Sequence, residues 1–153
     1  MDKHGLIPNS LLQNDGSRKF VDVTFSSGLG EEYYSIQTAA WADYDNDGDL
    51  DLYIGNEFLK KGVHAPCQRF RNNGNETFPD VAKEAGVQNG GYTKGVLWGD
   101  YDADGFPDLY VSKWREQSIV SKQPERHIQR CNPGARSRRT DHEFLSLVLR
   151  FRQ

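Results

Sequence analysis

The strongest constraint on this chain is a duplication. WADYDNDGDLDLYIGN, starting at Trp41, aligns with WGDYDADGFPDLYVSK, starting at Trp98, 57 residues later. Upstream, LLQNDGSRKFVDVTFSSGL from Leu11 aligns with RFRNNGNETFPDVAKEAGV from Arg69 at an offset of 58. Both upstream copies hold Phe-x-Asp-Val, at Phe20–Val23 and Phe78–Val81, and then glycine plus an aliphatic residue, at Gly28-Leu29 and Gly86-Val87. About 100 of the 153 residues fall inside the repeat. In such an array each unit must bury its apolar face on its neighbour.

The local signals inside each unit are β. Asp15-Gly16 and Asn73-Gly74 are hairpin-turn dipeptides, and a type I′ turn at either would need φ > 0 at both central residues. Leu50–Ile54 and Pro107–Val111 alternate with period two, as strands do. Thr38–Ala42 and Gly95–Gly99 are short and rich in small residues, which suits an inner strand with crowded neighbours. Each unit reads as an outer hairpin, an inner strand, an acidic loop and a further strand. About four strands per repeat of this length is the arithmetic of a propeller blade. The expected fold class is therefore all-β, about two four-stranded blades forming a partial propeller. The expected segments are a lead-in at 1–10, repeat one at 11–66, an incomplete repeat two at 67–114 and a divergent tail at 115–153.

The acidic loops carry the chemistry. Asp43, Asp45, Asp47, Asp49 and Asp51 occupy alternate positions around Gly48, and Asp100, Asp102, Asp104 and Asp108 repeat the pattern around Gly105. Two unit charges 4 Å apart repel by about 1 kcal/mol in water and about 4 kcal/mol at an effective dielectric near 20. A loop that converges several carboxylates needs a cation. Oxygen-only donors select a hard one, Ca²⁺ ahead of Mg²⁺. In such loops positions 1, 3 and 5 offer side-chain oxygens, glycine at 6 makes the sharp turn, and position 7 offers a carbonyl. Position 7 is Asp49 in one loop and Phe106 in the other, harmless if only the carbonyl is used. An EF-hand is excluded, because position 12 is Ile54 or Val111 where a bidentate glutamate is required, and the flanks are strands.

DYDNDGDLD and DYDADGFPD, each preceded by tryptophan and followed by Leu-Tyr, resemble the calcium loops of FG-GAP/VCBS repeats. Those repeats are blades of integrin-α-type propellers, of bacterial VCBS proteins and of the ASPIC/UnbV and cartilage-acidic-protein group. RNNGNETFPDVAKEAGV and QNDGSRKFVDVTFSSGL are most similar to the last group. The resemblance covers Leu11 to about Lys113. It implies a calcium-stabilised propeller, secreted, periplasmic or at the cell surface, without catalysis of its own. The implied ligands are Asp43, Asp45, Asp47 and Asp51 with the carbonyl of Asp49, then Asp100, Asp102, Asp104 and Asp108 with the carbonyl of Phe106. Two Ca²⁺ sites follow, the first tighter because it holds more carboxylates.

The remaining signals are weaker. Residues 1–114 carry 10 Lys+Arg against 18 Asp+Glu, net −8, while residues 115–153 carry 9 against 4, net +5. After Trp114 the repeat stops in a basic, irregular stretch, expected of a truncated or frame-shifted reading frame, with a short helix or strand at 142–151. Its arginines lack interleaved aromatics and sit beside an acidic body, so nucleic acid is not an expected partner. No apolar run long enough to cross a membrane occurs, and no export signal is written at the start. His4, His64, His127 and His142 have no metal spacing, and nucleophile-elbow and phosphate-loop motifs are missing. Trp41 and Trp98 are expected to pack between blades, with Tyr44, Tyr53, Tyr101 and Tyr110 as packing residues. Asp22 and Asp80 read as turn formers, Cys67 and Cys131 as unpaired thiols, and Asn75-Glu76-Thr77 as a sequon on a hairpin tip. The expected role is a structural or protein/glycan-binding module whose partners are other blades, or itself. The alternatives are an appendage of a larger secreted hydrolase or lyase, or a truncated product without independent function.

Overall fold

A computed structural model describes residues 9–57, 65–101, 103–114, 116–120 and 129–131. The expected segment at 142–151 lies outside them. The described residues are all-β apart from one 3₁₀ turn at Leu29–Glu31. The strands are β1 (Leu12–Asn14), β2 (Phe20–Asp22), β3 (Ile36–Ala42), β4 (Asp51–Asn56), β5 (Gln68–Phe70), β6 (Thr93–Gly99), β7 (Asp108–Lys113), β8 (Glu116–Val120) and β9 (Gln129–Cys131). They form three antiparallel sheets, β1-β2, β3-β4-β5 and β6-β7-β8-β9.

The duplication is reproduced down to its irregularities. β3 pairs with β4 through Trp41↔Leu52 and Ala42↔Asp51, with a bulge between Ile36 and Thr38. β6 pairs with β7 through Trp98↔Leu109 and Gly99↔Asp108, with a bulge between Thr93 and Gly95. The hairpins match as well. Val23 N donates to Leu11 O and Asp15 N to Lys19 O, while Val81 N donates to Arg69 O and Asn73 N to Thr77 O. Asp22 and Asp80 act as turn formers, each accepting the backbone N–H two residues on.

Three features differ from the expectation. The hairpin loops are not two-residue type I′ turns, because φ is positive at Gly16 and Arg18, and at Gly74 and Glu76, rather than at adjacent residues. Asp15 accepts from Ser17 N, and Asn75 from Thr77 N. These side-chain bonds hold a longer loop open. Second, the hairpin does not precede its own blade. β5 pairs with β4 through Leu52↔Phe70, so the hairpin of the second sequence unit is the outer edge of the first blade. Third, β8 and β9 lie beyond Trp114, so part of the basic tail is strand rather than irregular. The outer edge of β7 supplies the reason: its N–H and C=O groups are satisfied by pairing with β8, from Leu109↔Val120 to Lys113↔Glu116.

β4 is buried at every position, on both faces. Its alternation therefore sorts residues between two cores rather than between core and water. Leu52 and Ile54 join Leu29 and Phe70 on one side. Tyr53 joins Leu109, Val111, Val87 and Cys67 on the other. The Tyr53 hydroxyl donates to Val87 O at 2.9 Å. Cys67 is a free buried thiol 3.2 Å from Thr93 Oγ1. The blades meet so closely at Gly55 that a Cβ there would collide with the Thr93 and Thr38 methyl groups.

Candidate functional site

Each acidic loop joins the two inner strands of a blade, β3 to β4 and β6 to β7. A loop of four or five carboxylates would splay apart unless the backbone tied it down, and here equivalent bonds do so in both loops. Asp43 Oδ1 accepts from Asp47 N and Oδ2 from Gly48 N, both at 3.0 Å. Asp100 accepts from Asp104 N at 3.0 Å and Gly105 N at 2.8 Å. Asp47 Oδ1 takes Asp49 N, and Asp104 Oδ1 takes Phe106 N. Asp51 Oδ2 takes Tyr44 N at 3.2 Å, and Asp108 Oδ2 takes Tyr101 N at 2.9 Å. Gly48 and Gly105 turn at φ 95° and 89°, where any Cβ would be strained.

In the first loop Asp43, Asp45 and Asp51 place carboxylate oxygens within 4.8 Å of one another. Asp47 and Asp49 lie outside that group. Asp47 is exposed and engaged with Asp49 N, and the Asp49 carboxylate closes against Gly74 of the neighbouring hairpin. In the second loop Asp100, Asp104, Phe106 and Asp108 repeat the first, while Asp102 lies outside the described residues. The electrostatics of loop one follow from this crowding. Burial pushes Asp51 up to about 6, against the N–H bonds of Asn72 and Tyr44, with the Asp45 and Asp47 charges adding to the rise. Burial also raises Asp45, assisted by the charges of Asp47 and Asp43. Three converging oxygen donors with no nitrogen or sulfur among them are the donor set of a hard divalent cation.

Some contributors escape a sequence reading. Asn72, on the outer hairpin, donates its backbone N–H to Asp51 Oδ1 at 2.8 Å and its Nδ2 to Leu50 O at 3.3 Å. Asn46 Nδ2 reaches Gly105 O at 3.0 Å and links the two loops directly. Asn46 and Ala103, both at position 4, hold positive φ of 59° and 57° without glycine. Asn72 is legible only as part of an Asn-Asn-Gly turn, and Asn46 only as an asparagine, a residue that tolerates left-handed backbone.

The aromatic expectation divides. Trp98 stacks on Tyr44 at 6.0 Å and 11°, meets Tyr53 edge-on at 6.4 Å, and donates Nε1 to Ala40 O. The Arg69 guanidinium lies over the Tyr44 ring, 4.2 Å from its centre. Trp98 is thus inter-blade packing. Trp41 is half exposed and touches Phe78 only at an edge, 6.1 Å between ring centres.

Comparison with known proteins agrees with this geometry. Residues 66–111 match the family model of the FG-GAP-like repeat. Cartilage acidic protein 1 of Xenopus tropicalis is 35% identical over 77 residues, covering 50% of this chain and 11% of that protein. The mouse and human proteins of that name are each 26% identical over 123 residues, 80% of this chain and 18% of theirs. The chain thus spans under a fifth of the length of these curated relatives. None of its described helical segments is long and apolar enough to cross a membrane. Residues 66–111 are thus similar to an FG-GAP-like repeat, and 80% of this chain is similar to part of cartilage acidic protein 1.

Proposed function

We propose that this chain is a calcium-stabilised propeller module with a structural and partner-binding role and no chemistry of its own. The observation that carries the reading is the convergence of Asp43, Asp45 and Asp51 within 4.8 Å, in a loop whose backbone bonding recurs 57 residues on. Asp43, Asp45 and Asp51 would hold the first ion, with Asp47 and the Asp49 carbonyl as further donors. Asp100, Asp102, Asp104 and Asp108 with the Phe106 carbonyl would hold the second. A bound Ca²⁺ supplies positive charge that offsets carboxylate repulsion and ties the two inner strands of a blade together. The chain's part is to aim the oxygens: Asp43 organises the turn, and Asn72 and Tyr44 N–H groups orient Asp51.

The relatives' printed name places those proteins in cartilage, which supports an extracellular setting for this one, with protein or glycan ligands. The test is thermal unfolding in chelator and in calcium, with bound metal counted by elemental analysis. Calcium at a hundred times its Kd should add about 2.7 kcal/mol of stability, and a clear rise in Tm. Identical melts with no bound metal reject the reading.

A further inference from the structure

Asparagine followed by glycine is where a chain most readily attacks itself, because glycine has no Cβ to keep its nitrogen from the preceding side-chain carbonyl. The sequence holds two such pairs, Asn73-Gly74 and Asn89-Gly90. The fold treats them oppositely. At Asn73 every reacting group is tied. Gly74 N donates to Asn72 Oδ1 at 3.0 Å, Asn73 Nδ2 donates to Thr77 Oγ1 at 3.1 Å, and Asn73 Oδ1 accepts from Arg71 Nε at 3.3 Å. At Asn89 only the side-chain carbonyl is held. Lys113 Nζ donates to Asn89 Oδ1 at 3.3 Å and to Gly90 O at 3.1 Å. Asn89 Nδ2 is buried, facing the Tyr53 hydroxyl too loosely for a hydrogen bond. Among the described residues nothing accepts from Gly90 N–H, and Gly90 is exposed. Both carbonyls thus face a cation; nucleophile and leaving group are free in one pair alone.

We propose that Asn89-Gly90 is a self-modifying site, at which Gly90 N attacks Asn89 Cγ and closes a succinimide, with water the only other reactant. The bond formed is Gly90 N–Cγ and the bond broken is Cγ–Nδ2. The proton of Gly90 N passes to a solvent base, and Nδ2 leaves as ammonia. Water then opens the ring at either carbonyl, giving aspartate or isoaspartate. The Lys113 ammonium stands where negative charge develops on Oδ1 as the nitrogen adds. The consequence falls on the contact between blades. Asn89 O accepts Cys67 N at 2.8 Å, tying the segment before β6 to the start of β5 beside the fully buried Cys67 thiol. Isoaspartate lengthens the main chain by one carbon at this bond, so that product loosens the contact and opens Cys67 to solvent.

The test is incubation of the purified full chain at neutral pH, with each asparagine followed by peptide mapping and isoaspartate counted with an isoaspartate-specific methyltransferase. In the folded chain Asn89 is expected to convert at least about tenfold faster than Asn73, where two hydrogen bonds must break first. In urea the two rates should come within about threefold of each other, since the bonds that separate them are gone. Lys113→Met is expected to slow Asn89 at least about tenfold and leave Asn73 unchanged. Equal rates in the folded chain overturn the proposal, as does a folded Asn89 that stays intact while the unfolded one converts, or indifference to Lys113→Met. The second readout is thiol labelling in a Cys131→Ser chain, with the isoaspartate fraction separated by its extra negative charge. Cys67 in that fraction should react at least about tenfold faster than in fresh protein. Gly90→Ala, incubated for the same time, should keep both the amide and the shielded thiol. Equal thiol reactivity in the two fractions overturns the loosening of the blade contact.

Discussion

Trp98 and Trp41 are one residue in two settings. Each opens a Trp-x-Asp-Tyr-Asp motif, each lies on an inner strand, and each pairs across its sheet with a leucine. One is sandwiched by two tyrosines and the other faces a groove. The difference teaches that the repeat encodes a surface and its complement, and that burial depends on whether a neighbour of the right kind stands beside it. Area leaves water only when both faces are present.

The largest effect should come from removing the sandwiched ring. Trp98→Ala is expected to cost about 3 kcal/mol or more in urea unfolding, while Trp41→Ala stays within about 1 kcal/mol. Equal losses would break the comparison, because they would mean that Trp41 is packed in solution. Next comes Gly55→Ala, which drives a Cβ into the Thr93 and Thr38 methyls at the contact between blades. A loss of about 1–3 kcal/mol is expected, with the near-ultraviolet circular dichroism of Trp98 altered.

A smaller effect separates metal-free from calcium-loaded protein by the sign of its pH dependence. Asp51 titrates near 6 in the folded chain, above the ordinary carboxylate value of 3.8. A folded state that binds the proton more tightly gains stability as pH falls. Without metal, stability should therefore rise by about 1 kcal/mol between roughly pH 7 and 4.5, allowing for solvent screening. It should fall again at lower pH, where Asp15 and Asp22, held below the usual range by bonds from Ser17 and Thr24, take up protons. With calcium bound the slope reverses, since protons compete with the ion for the same oxygens. Urea midpoints across pH in chelator and in calcium read both slopes. The smallest effect concerns the two loops. Terbium luminescence of Asp47→Ala and Asp104→Ala should show loop one binding more tightly, by about tenfold or less. Equal affinities would show that the Asp49 carboxylate, closed against Gly74, contributes nothing at the ion.

Much of this was readable before any coordinates. The period, the β character, the hairpins and the two acidic loops all follow from residues close together in the chain, where glycine, asparagine and alternating aspartates act within a few positions. The phase of the blades was not readable. A hairpin preceding an inner strand in sequence looks like part of the same unit, and only the pairing Leu52↔Phe70 assigns it to the blade before. The turn type was misread for a related reason. Asp15-Gly16 matches a two-residue turn, but the bonds from Ser17 and Lys19 to the Asp15 carboxylate favour a longer loop. Asn72 could not be recognised as an organiser of Asp51, because 21 residues separate the two.

By itself the sequence determined that a β unit occurs twice and that each copy carries a loop of alternating carboxylates, because turns, alternation and like-charge crowding are local matters. Only the tertiary structure decided that β4 is buried on both faces, that strands beyond Trp114 complete the second sheet, and that Leu12 and Trp41 stay open. Those outcomes depend on which edge lies next to which, and edge pairing is settled by contacts between residues far apart in the chain.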